Sequence, residues 1–415
     1  MPQPAPERAL RQSIALLFTR RFGTFWFASL LANIGTWAQQ VAQPWLMLSL
    51  GASSVLLGLD SFALGAPGLL LTFVGGALAD RSDRRSVIAL FQSIQMLCPL
   101  LIVVLLLAHA IHPWMVICLS LVVGITDALS MPSFQTIVST IVDRGRLATG
   151  LGLNATQFNL SRILGPAVAG VLMTSVGVVG AFSVSAASYL PFILVAVWIL
   201  PRAASGVAAG AEPGSALAAL RQIGGDPALR GALLSVLATS LLCTPLVTFC
   251  PLLVTQVFHG NVAHFSLTMG AFGIGGLLAA TGLLAIDPLR DRRPLASRFA
   301  LAFAVVVAAT ALDPWGGALP WLFVLGGTAM TVANVSANTY LQSAAPVQMR
   351  GRSISLYMLA LRGGMSLGSL MTGLTVDALG VREALLLNAA LAIVLQLAIG
   401  HAWARTRRVT AATIR

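Results

Sequence analysis

Four charged side chains lie inside long apolar stretches of this 415-residue chain: Asp60, Asp127, Arg162 and Arg362. A charge surrounded by hydrocarbon is costly unless it faces a partner or water, so such residues commonly serve transport. Two carboxylates and two guanidinium groups at this depth could carry a proton and contact a cargo. They could equally form two ion pairs that only fix the packing of helices.

Asp60 is the predicted proton carrier. It falls in the outer part of the second apolar stretch, whereas Asp127 falls in the inner part of the fourth. Desolvation favours a protonated carboxyl group, and a nearby guanidinium favours the ionised form. Arg162 lies between the two carboxylates in depth, and we predict that it is the cationic partner of Asp60 or a cargo contact.

Uncharged polar residues give a weaker signal. Each alone is typical of a hydrogen bond between membrane helices. Together they predict a cavity that is polar on one side and apolar on the other. The cavity-lining candidates are Asn33, Trp37 and Gln40 on the first stretch, Asn154 and Gln157 on the fifth, and Asn334 and Asn338 on the tenth.

The composition predicts that helices crossing a bilayer must position these residues. The chain is 57% hydrophobic and 9% charged, whereas about 25% of a soluble protein is charged. A bilayer core requires about 20 apolar residues per helix. Twelve segments qualify, at about 22–48, 55–79, 87–108, 113–133, 147–174, 181–200, 230–257, 265–286, 297–312, 320–342, 353–378 and 384–404.

The net charge of +12 describes topology rather than a nucleic-acid partner. All 25 basic residues are arginine, and they concentrate in the two tails and in every second loop. This positive-inside pattern predicts that both termini are cytoplasmic. Because the chain has no lysine, it lacks the phosphate-binding lysine loop. We therefore predict an ion gradient, rather than ATP, as the energy source.

The sequence contains an internal repeat, which predicts two copies of one structural unit. Residues of the first half recur in the second at a nearly constant offset. We predict a six-helix bundle at 1–200, a cytoplasmic linker at 201–229 and a second six-helix bundle at 230–415. Both copies have the same orientation because each contains six spans. The matched pairs include Pro44 and Pro251, Gly75 and Gly282, Asp80 and Asp287, and Gly165 and Gly368.

The loop after the second span carries the pattern Gly-x-x-x-Asp-Arg-x-x-Arg-Arg. The pattern resembles the signature loop between helices 2 and 3 of the major facilitator superfamily. The resemblance implies an all-α membrane protein with twelve transmembrane helices in two parallel repeats around a cavity. It also places Asp80 against the start of helix 11, as a gate. Asp83 replaces the usual glycine, which predicts a looser turn. The gating-loop candidates are Gly76, Asp80, Arg81, Arg84 and Arg85.

The fifth span carries a second signature, with Gly165, Pro166 and Gly170 at its centre. It resembles the helix-5 signature of the superfamily's antiporters, which goes with export. Together with Asp143-Arg144-Gly145-Arg146, it makes the chain similar to the branch that contains the bacterial enterobactin exporter and related drug-efflux proteins. Ser120 stands near the position of the helix-4 arginine that many proton-coupled drug exporters carry.

These features predict a monomeric exporter of small amphiphilic molecules in the bacterial inner membrane, driven by proton antiport. Drug or xenobiotic efflux leads, and export of a siderophore or another self-made metabolite is the close alternative. An uptake transporter or a non-transporting membrane sensor is less favoured. We predict no enzyme activity, cofactor or metal. The enzyme-like glycine patterns at 150–155 and 364–368 lack the preceding strand that such motifs require.

Overall fold

The structure is a computed structural model that describes residues 14–200, 225–284, 291–344 and 350–413. Most of the predicted linker, at 201–224, lies outside the described residues. So do the side chains of Asp80 and Arg81, the surroundings of Gly76 and the side chains of 350–352. The predicted contact between Asp80 and the start of helix 11 therefore stays a prediction.

The described residues form twelve long helices, as the sequence predicts. Helix α7 begins as Pro227–Ala238 and continues through two π-helical segments, Thr239–Cys243 and Leu253–Val257. The other helices are α1 (Arg20–Ser49), α2 (Ser54–Arg81), α3 (Arg84–Leu107), α4 (Pro113–Ile141), α5 (Leu147–Ser175), α6 (Gly177–Trp198), α8 (Val262–Leu284), α9 (Arg293–Leu312), α10 (Leu319–Ala344), α11 (Arg350–Leu379) and α12 (Val381–Thr413).

Helices α1 and α5 differ from the rest in polarity. Ten of the described helices are long and apolar enough to cross a membrane by length and composition. Helices α1 and α5, with 30 and 29 residues, are long enough but less apolar. They carry most of the polar residues that the sequence analysis selects, among them Asn33, Gln40, Gln157 and Arg162. Both helices therefore need packing partners inside the protein.

Short polar side chains begin several helices. Ser53 Oγ accepts a hydrogen bond from the Leu56 amide at the start of α2. Asp83 Oδ1 accepts from the Arg85 amide at the start of α3, and Asp226 Oδ1 accepts from the Ala228 amide at the start of α7. Each acceptor satisfies a backbone N–H that has no partner within the helix.

The apolar core divides differently at the two ends of the bundle. Following the predicted topology, we call the end with the α1–α2 loop the outer end and the opposite end the inner end. At the outer end, one buried cluster includes Met47 and Phe182 of the first half together with Phe249 and Phe303 of the second. At the inner end, the described apolar side chains form two separate clusters, one around Phe192 in α1–α6. The other surrounds Leu356 and Trp403 in α7–α12. The halves thus share one apolar cluster at the outer end and have separate clusters at the inner end, and we call the region between these two inner clusters the cleft.

Specific contacts close the outer end. Ser54 Oγ donates to Asp377 Oδ1 at 3.3 Å, between α2 and α11. Trp45 stacks on Phe265 with ring centroids 5.0 Å apart, between α1 and α8. A Cβ atom added at Gly58 would lie 2.5 Å from the main-chain oxygen of Ser369, so α2 and α11 approach closely here because the residue is glycine.

Arg382 lies at the outer end, where the positive-inside pattern does not predict an arginine, and its contacts explain its position. Its guanidinium donates to the main-chain oxygen of Asp313 at 2.6 Å. The same group lies 5.8 Å from the ring centroid of Phe258. These contacts tie the start of α12 to the end of α9 and to the α7–α8 connection. Arg382 therefore joins elements of the second half instead of setting the topology.

Candidate functional site

The four predicted intramembrane charges lie in two different surroundings. Asp60 is 5% exposed, within α1–α6. The side chains of Arg362 and Asp127 are 37% and 38% exposed, and Arg162 is also partly exposed. The last three lie where helices of the two halves face each other. The structure therefore separates one buried carboxyl group from three accessible charges.

Two neutral donors hold Asp60. The side-chain amide of Gln43 on α1 donates to Oδ2 at 2.7 Å, and Ser120 Oγ on α4 donates to Oδ1 at 2.6 Å. The predicted pairing of Asp60 with Arg162 does not occur in this structure, because the Arg162 side chain points to α11 in the other half. The carboxyl group of Asp60 thus has hydrogen bonds, but none of the ion pairs among the described residues includes it.

Two further residues extend this hydrogen-bonded chain. Gln39 Nε2 donates to Gln43 Oε1 at 3.4 Å, and Ser185 Oγ on α6 donates to Gln39 Oε1 at 2.9 Å. The sequence analysis did not select Gln39, Gln43 or Ser185. A signal was available, since Gln39 and Gln43 are four residues apart and therefore share one face of α1. The result is a buried polar chain from α6 through α1 to Asp60 on α2.

A cavity lies beside this chain, inside the first half. It has a volume of about 20 Å³, which is room for about one water molecule, and it is partly open. Gln43 and Ser120, the two partners of Asp60, both line it. The hydroxyl groups of Thr36 and Tyr189 lie 2.8 Å apart in its wall. The remaining lining residues are Gln39, Gln40, Leu64, Cys98, Ile102, Leu119 and Val123. Gln40 lines this cavity within the first half, and its place in a cargo cavity stays a prediction.

Asp127 and Arg362 form an ion pair between the halves. The Arg362 guanidinium on α11 donates to Asp127 Oδ2 on α4. The packing alternative of the sequence analysis requires two ion pairs among the four charges. Among the described side chains, this pair is one of them.

Arg162 makes the second polar contact between the halves. Its guanidinium lies near the hydroxyl group of Tyr357 on α11. That hydroxyl group donates to the main-chain oxygen of Asn334 on α10 at 3.4 Å. Arg162 therefore reaches from α5 of the first half to a neutral partner in the second.

The polar candidates on α1 and α5 mostly join these two helices. Asn33 Nδ2 donates to the main-chain oxygen of Ser29 at 3.0 Å, and Ser29 Oγ donates to Gln157 Oε1 at 3.3 Å. The rings of Trp37 and Phe158 pack edge to face, with centroids 6.1 Å apart. Gln157 Nε2 is buried and has no hydrogen-bond partner among the described residues.

The remaining asparagines do not act as pairs. Asn338 Oδ1 accepts from Gln342 Nε2 of the same helix at 3.0 Å. The Oδ1 atoms of Asn154 and Asn334 are buried and lack a hydrogen-bond partner within the described part of the chain. The i, i+4 spacing of Asn334 and Asn338 therefore does not produce a bond between them.

The helix-5 signature packs α5 against two different neighbours. A Cβ atom at Gly165 would collide with the Cβ atom of Trp37 on α1. A Cβ atom at Gly170 would lie 2.6 Å from the main-chain oxygen of Ser266 on α8, in the other half. Pro166, which is buried within the helix, removes one backbone donor between them. The two glycines thus permit one close contact within the first half and one between the halves.

The signature loop after α2 is ordered by its charges. Asp83 caps α3 through the Arg85 amide, and Ser86 Oγ donates to Asp83 Oδ2 at 2.9 Å. Asp83 therefore supplies an N-cap at the position of the usual glycine, and the looser turn stays a prediction. Arg84 donates to Thr140 Oγ1 at 3.4 Å, and Arg85 donates to main-chain oxygens at the end of α6. Both arginines tie the loop to its own half.

Comparisons with known sequences show which protein family the chain matches. The model of the transmembrane secretion effector family matches residues 12–413. The chain is 25% identical to the staphyloferrin A transporter of Staphylococcus aureus (strain NCTC 8325 / PS 47), over 86% of this chain and 90% of the relative. It is 26% identical to the multidrug efflux pump Tap of Mycolicibacterium fortuitum, over 87% and 90%. The macrolide efflux protein A of Streptococcus pyogenes is 22% identical, over 90% and 93%.

Solved structures share the fold. The nucleoside transporter NupG superposes with a TM-score of 0.74 at 14% identity, covering 93% of this chain and 99% of that structure. A bacterial homologue of the human lysosomal transporter Spinster, in an inward-facing and occupied conformation, gives a TM-score of 0.69 at 16% identity, covering 97% and 98%. At these identities the likeness concerns the fold alone. It confirms the predicted major facilitator architecture.

Proposed function

Because the chain belongs to the transmembrane secretion effector family of the major facilitator superfamily, we propose that it exports small amphiphilic molecules by proton antiport. The relatives support a secondary transporter of the efflux type that acts on a small-molecule substrate in a membrane. We further propose that the membrane is the bacterial inner membrane, that both termini are cytoplasmic and that the protein works as a monomer. Drugs and other xenobiotics are the leading cargo class.

Export of a siderophore is the second candidate cargo. One relative with matching coverage is a staphyloferrin A transporter, and the other two relatives described above act on drugs. All three relatives align over most of this chain. The two cargo classes therefore share one scaffold, and the experiment below includes one member of each.

The surroundings of Asp60 support the proposal that this residue binds the transported proton. Its carboxyl group is buried between one amide and one hydroxyl group. A serine hydroxyl can donate to a carboxylate and, after rotation, accept from a protonated acid. Both forms of Asp60 therefore keep a hydrogen bond to Ser120. By contrast, Asp127 is paired with the guanidinium of Arg362.

The proposed proton path uses the polar cavity beside Asp60. Gln43 and Ser120 separate the carboxyl group from this cavity. A cavity of this size and polarity can hold water, because it offers several hydrogen-bonding groups. We propose that a water molecule in this cavity exchanges protons with Asp60. We propose that Asp60 binds a proton in one conformation and releases it in the other.

We propose that the two bundles, 1–200 and 230–415 with the linker 201–229 between them, rock about the central cleft. The outer end is closed in this structure by the shared apolar cluster. The pair of Asp127 and Arg362 joins the halves at the cleft. Reopening the outer end requires the contact between Ser54 and Asp377 to break. The gate at Asp80 and the early part of helix 11 would then close the inner end.

Transport in reconstituted vesicles tests this function. Purified protein is placed in liposomes with an acidic lumen and no nucleotide, and uptake of radiolabelled erythromycin or staphyloferrin A is measured. We expect accumulation of at least one compound that nigericin, a potassium–proton exchanger, abolishes. Accumulation that needs ATP, or that nigericin leaves unchanged, contradicts proton antiport. Uptake of only one compound decides between the two cargo classes.

A further inference from the structure

We propose that the cargo is an amphiphilic anion and that Arg162 binds its acidic group. The proposal rests on the transport function above and concerns the substrate class of the same cleft. It starts from an imbalance of charge between Arg162 and Arg362, the two central arginines.

Arg362 is neutralised within the protein, whereas Arg162 is not. The carboxylate of Asp127 pairs with Arg362. The partner of Arg162 is the hydroxyl group of Tyr357, which is neutral. No carboxylate among the described residues lies within 4.0 Å of the Arg162 guanidinium. Asp60, the remaining acidic group at this depth, is bound by Gln43 and Ser120 in the first half.

A lone cation at this depth needs an anion or water. Arg162 lies near the middle of α5, and its side chain is partly exposed in the cleft. A guanidinium in hydrocarbon surroundings is costly without such a counter-charge. A carboxylate or a phosphate suits its planar fork because two parallel hydrogen bonds can form. Arg162 therefore offers an anion site for which the described residues supply no carboxylate.

An aromatic surface adjoins the cation. Phe158 lies four residues before Arg162 and therefore on the same face of α5. Its ring packs edge to face against Trp37 of α1, and both rings are partly exposed. One face of α5 thus presents a charge next to an apolar wall. A molecule that carries an acidic group on an aromatic or aliphatic body would contact both.

Binding of three matched probes tests the proposal. The probes are tritiated 1-naphthaleneacetate, the neutral 1-naphthaleneacetamide and the cationic (1-naphthylmethyl)trimethylammonium, which share one aromatic body. Equilibrium binding is measured on the full-length purified protein. We expect the wild type to bind the acid about tenfold more tightly than the amide or the cation, as expected for one charge-assisted contact.

Variants assign the preference to the proposed residue. Arg162→Gln should lose about tenfold in affinity for the acid and keep its affinity for the amide within about twofold, because only the charge is removed. The affinity of Arg162→Lys for the acid should lie between those of the wild type and Arg162→Gln, since lysine keeps the charge but lacks the planar guanidinium. Arg298→Gln, at an exposed position of α9, is the matched control and should bind all three probes as the wild type does.

Several outcomes overturn the proposal. Equal or tighter binding of the cation by the wild type excludes an anion site, as does the absence of acid binding. An unchanged ratio of acid to amide binding in Arg162→Gln assigns the preference elsewhere. If Arg162→Gln does not fold, the wild-type ranking and Arg162→Lys still decide the point. If the protein binds the acid preferentially but shows no gradient-driven uptake, the result contradicts proton antiport and leaves the anion site in place.

Discussion

The two halves repeat one architecture but differ in the chemistry of their interiors. In the first half, Asp60, Gln43, Gln39 and Ser120 form a buried hydrogen-bonded group. The offset that relates Pro44 to Pro251 relates these residues to apolar or small ones. The matching residues of the second half are Leu267, Cys250, Leu246 and Gly326 or Gly327.

The backbones of the halves differ as well. Each helix from α1 to α6 contains an internal proline. Helices α8 to α12 have none beyond their first turn, and the prolines of α7, Pro245 and Pro251, adjoin its π-helical segments. An internal proline removes a backbone hydrogen bond and bends the helix. The six internal prolines are Pro44, Pro67, Pro99, Pro132, Pro166 and Pro191.

Two copies of one scaffold can therefore have different functions. Two similar bundles can rock about a shared cleft whatever their interiors contain. Chemistry that binds a proton needs a buried acid and polar support, and the described structure places both in the first half. The second half supplies Arg362 and Tyr357, which meet the first half at the cleft. If the proposed proton antiport holds, the first half therefore supplies the proton-binding group.

The largest expected effect comes from removing the acid that distinguishes the first half. Asp60→Asn keeps the size and the hydrogen-bonding capacity of the side chain but cannot release a proton. We expect pH-driven export to fall to background, while cargo binding and downhill exchange persist. Uptake and exchange are measured in the same vesicles.

The control for Asp60→Asn is Asp291→Asn, in the loop before α9, which should transport as the wild type does. Asp127→Asn tests the alternative carrier. Full pH-driven transport in both Asp60→Asn and Asp127→Asn would place coupling elsewhere. These charges would then only fix the packing of helices, which is the alternative to a role in transport.

An intermediate effect comes from making the first half resemble the second. Gln43→Leu removes a donor to Asp60 and an acceptor for Gln39. Leaving buried polar groups without partners costs about 1–3 kcal/mol. We expect the free energy of unfolding to fall by this amount, measured by thermal or denaturant unfolding of the purified protein.

The double variant Gln43→Leu with Asp60→Leu sharpens this test. Because replacing both partners by apolar groups is nearly neutral, it should recover much of the stability and transport nothing uphill. Gln40→Leu, at a partly exposed position one turn earlier, should change stability by less than about 0.5 kcal/mol. If Gln40→Leu lowers the free energy of unfolding as much as Gln43→Leu does, the buried hydrogen-bonded chain has no special role in stability.

The smallest effect on stability concerns the ion pair that joins the halves. Arg362 and Asp127 are more than a third exposed, so screening limits the pair to about 0.2–1 kcal/mol. We expect Arg362→Gln to slow transport with little change in the unfolding midpoint, because the pair connects two bodies that move. The reversed pair, Asp127→Arg with Arg362→Asp, should restore part of the rate.

Arg293→Gln is the matched control, because the pair of Arg293 and Asp291 is also partly exposed but lies within the second half, with N and O atoms 3.0 Å apart. It should leave the transport rate unchanged. Equal slowing in Arg293→Gln and Arg362→Gln would mean that joining the halves has no particular importance.

Much of the architecture followed from the sequence. The hydropathy of the chain predicted all twelve helices, because a bilayer core imposes one length and one polarity on every span. The repeated residues predicted two similar halves, and the motifs predicted the superfamily. The sequence also selected Asp60, Asp127, Arg162 and Arg362, since a charge in an apolar stretch is conspicuous.

Only the tertiary structure decided which of these groups meet. Asp60 bonds to Gln43 and Ser120, which come from two other helices. Arg162 turns away from it toward Tyr357. Such partners depend on the rotation and depth of each helix against its neighbours, and a change of one residue turns a side chain by about 100° around the helix axis. Sequence spacing gives the faces of one helix, whereas packing across the bundle decides which faces come together.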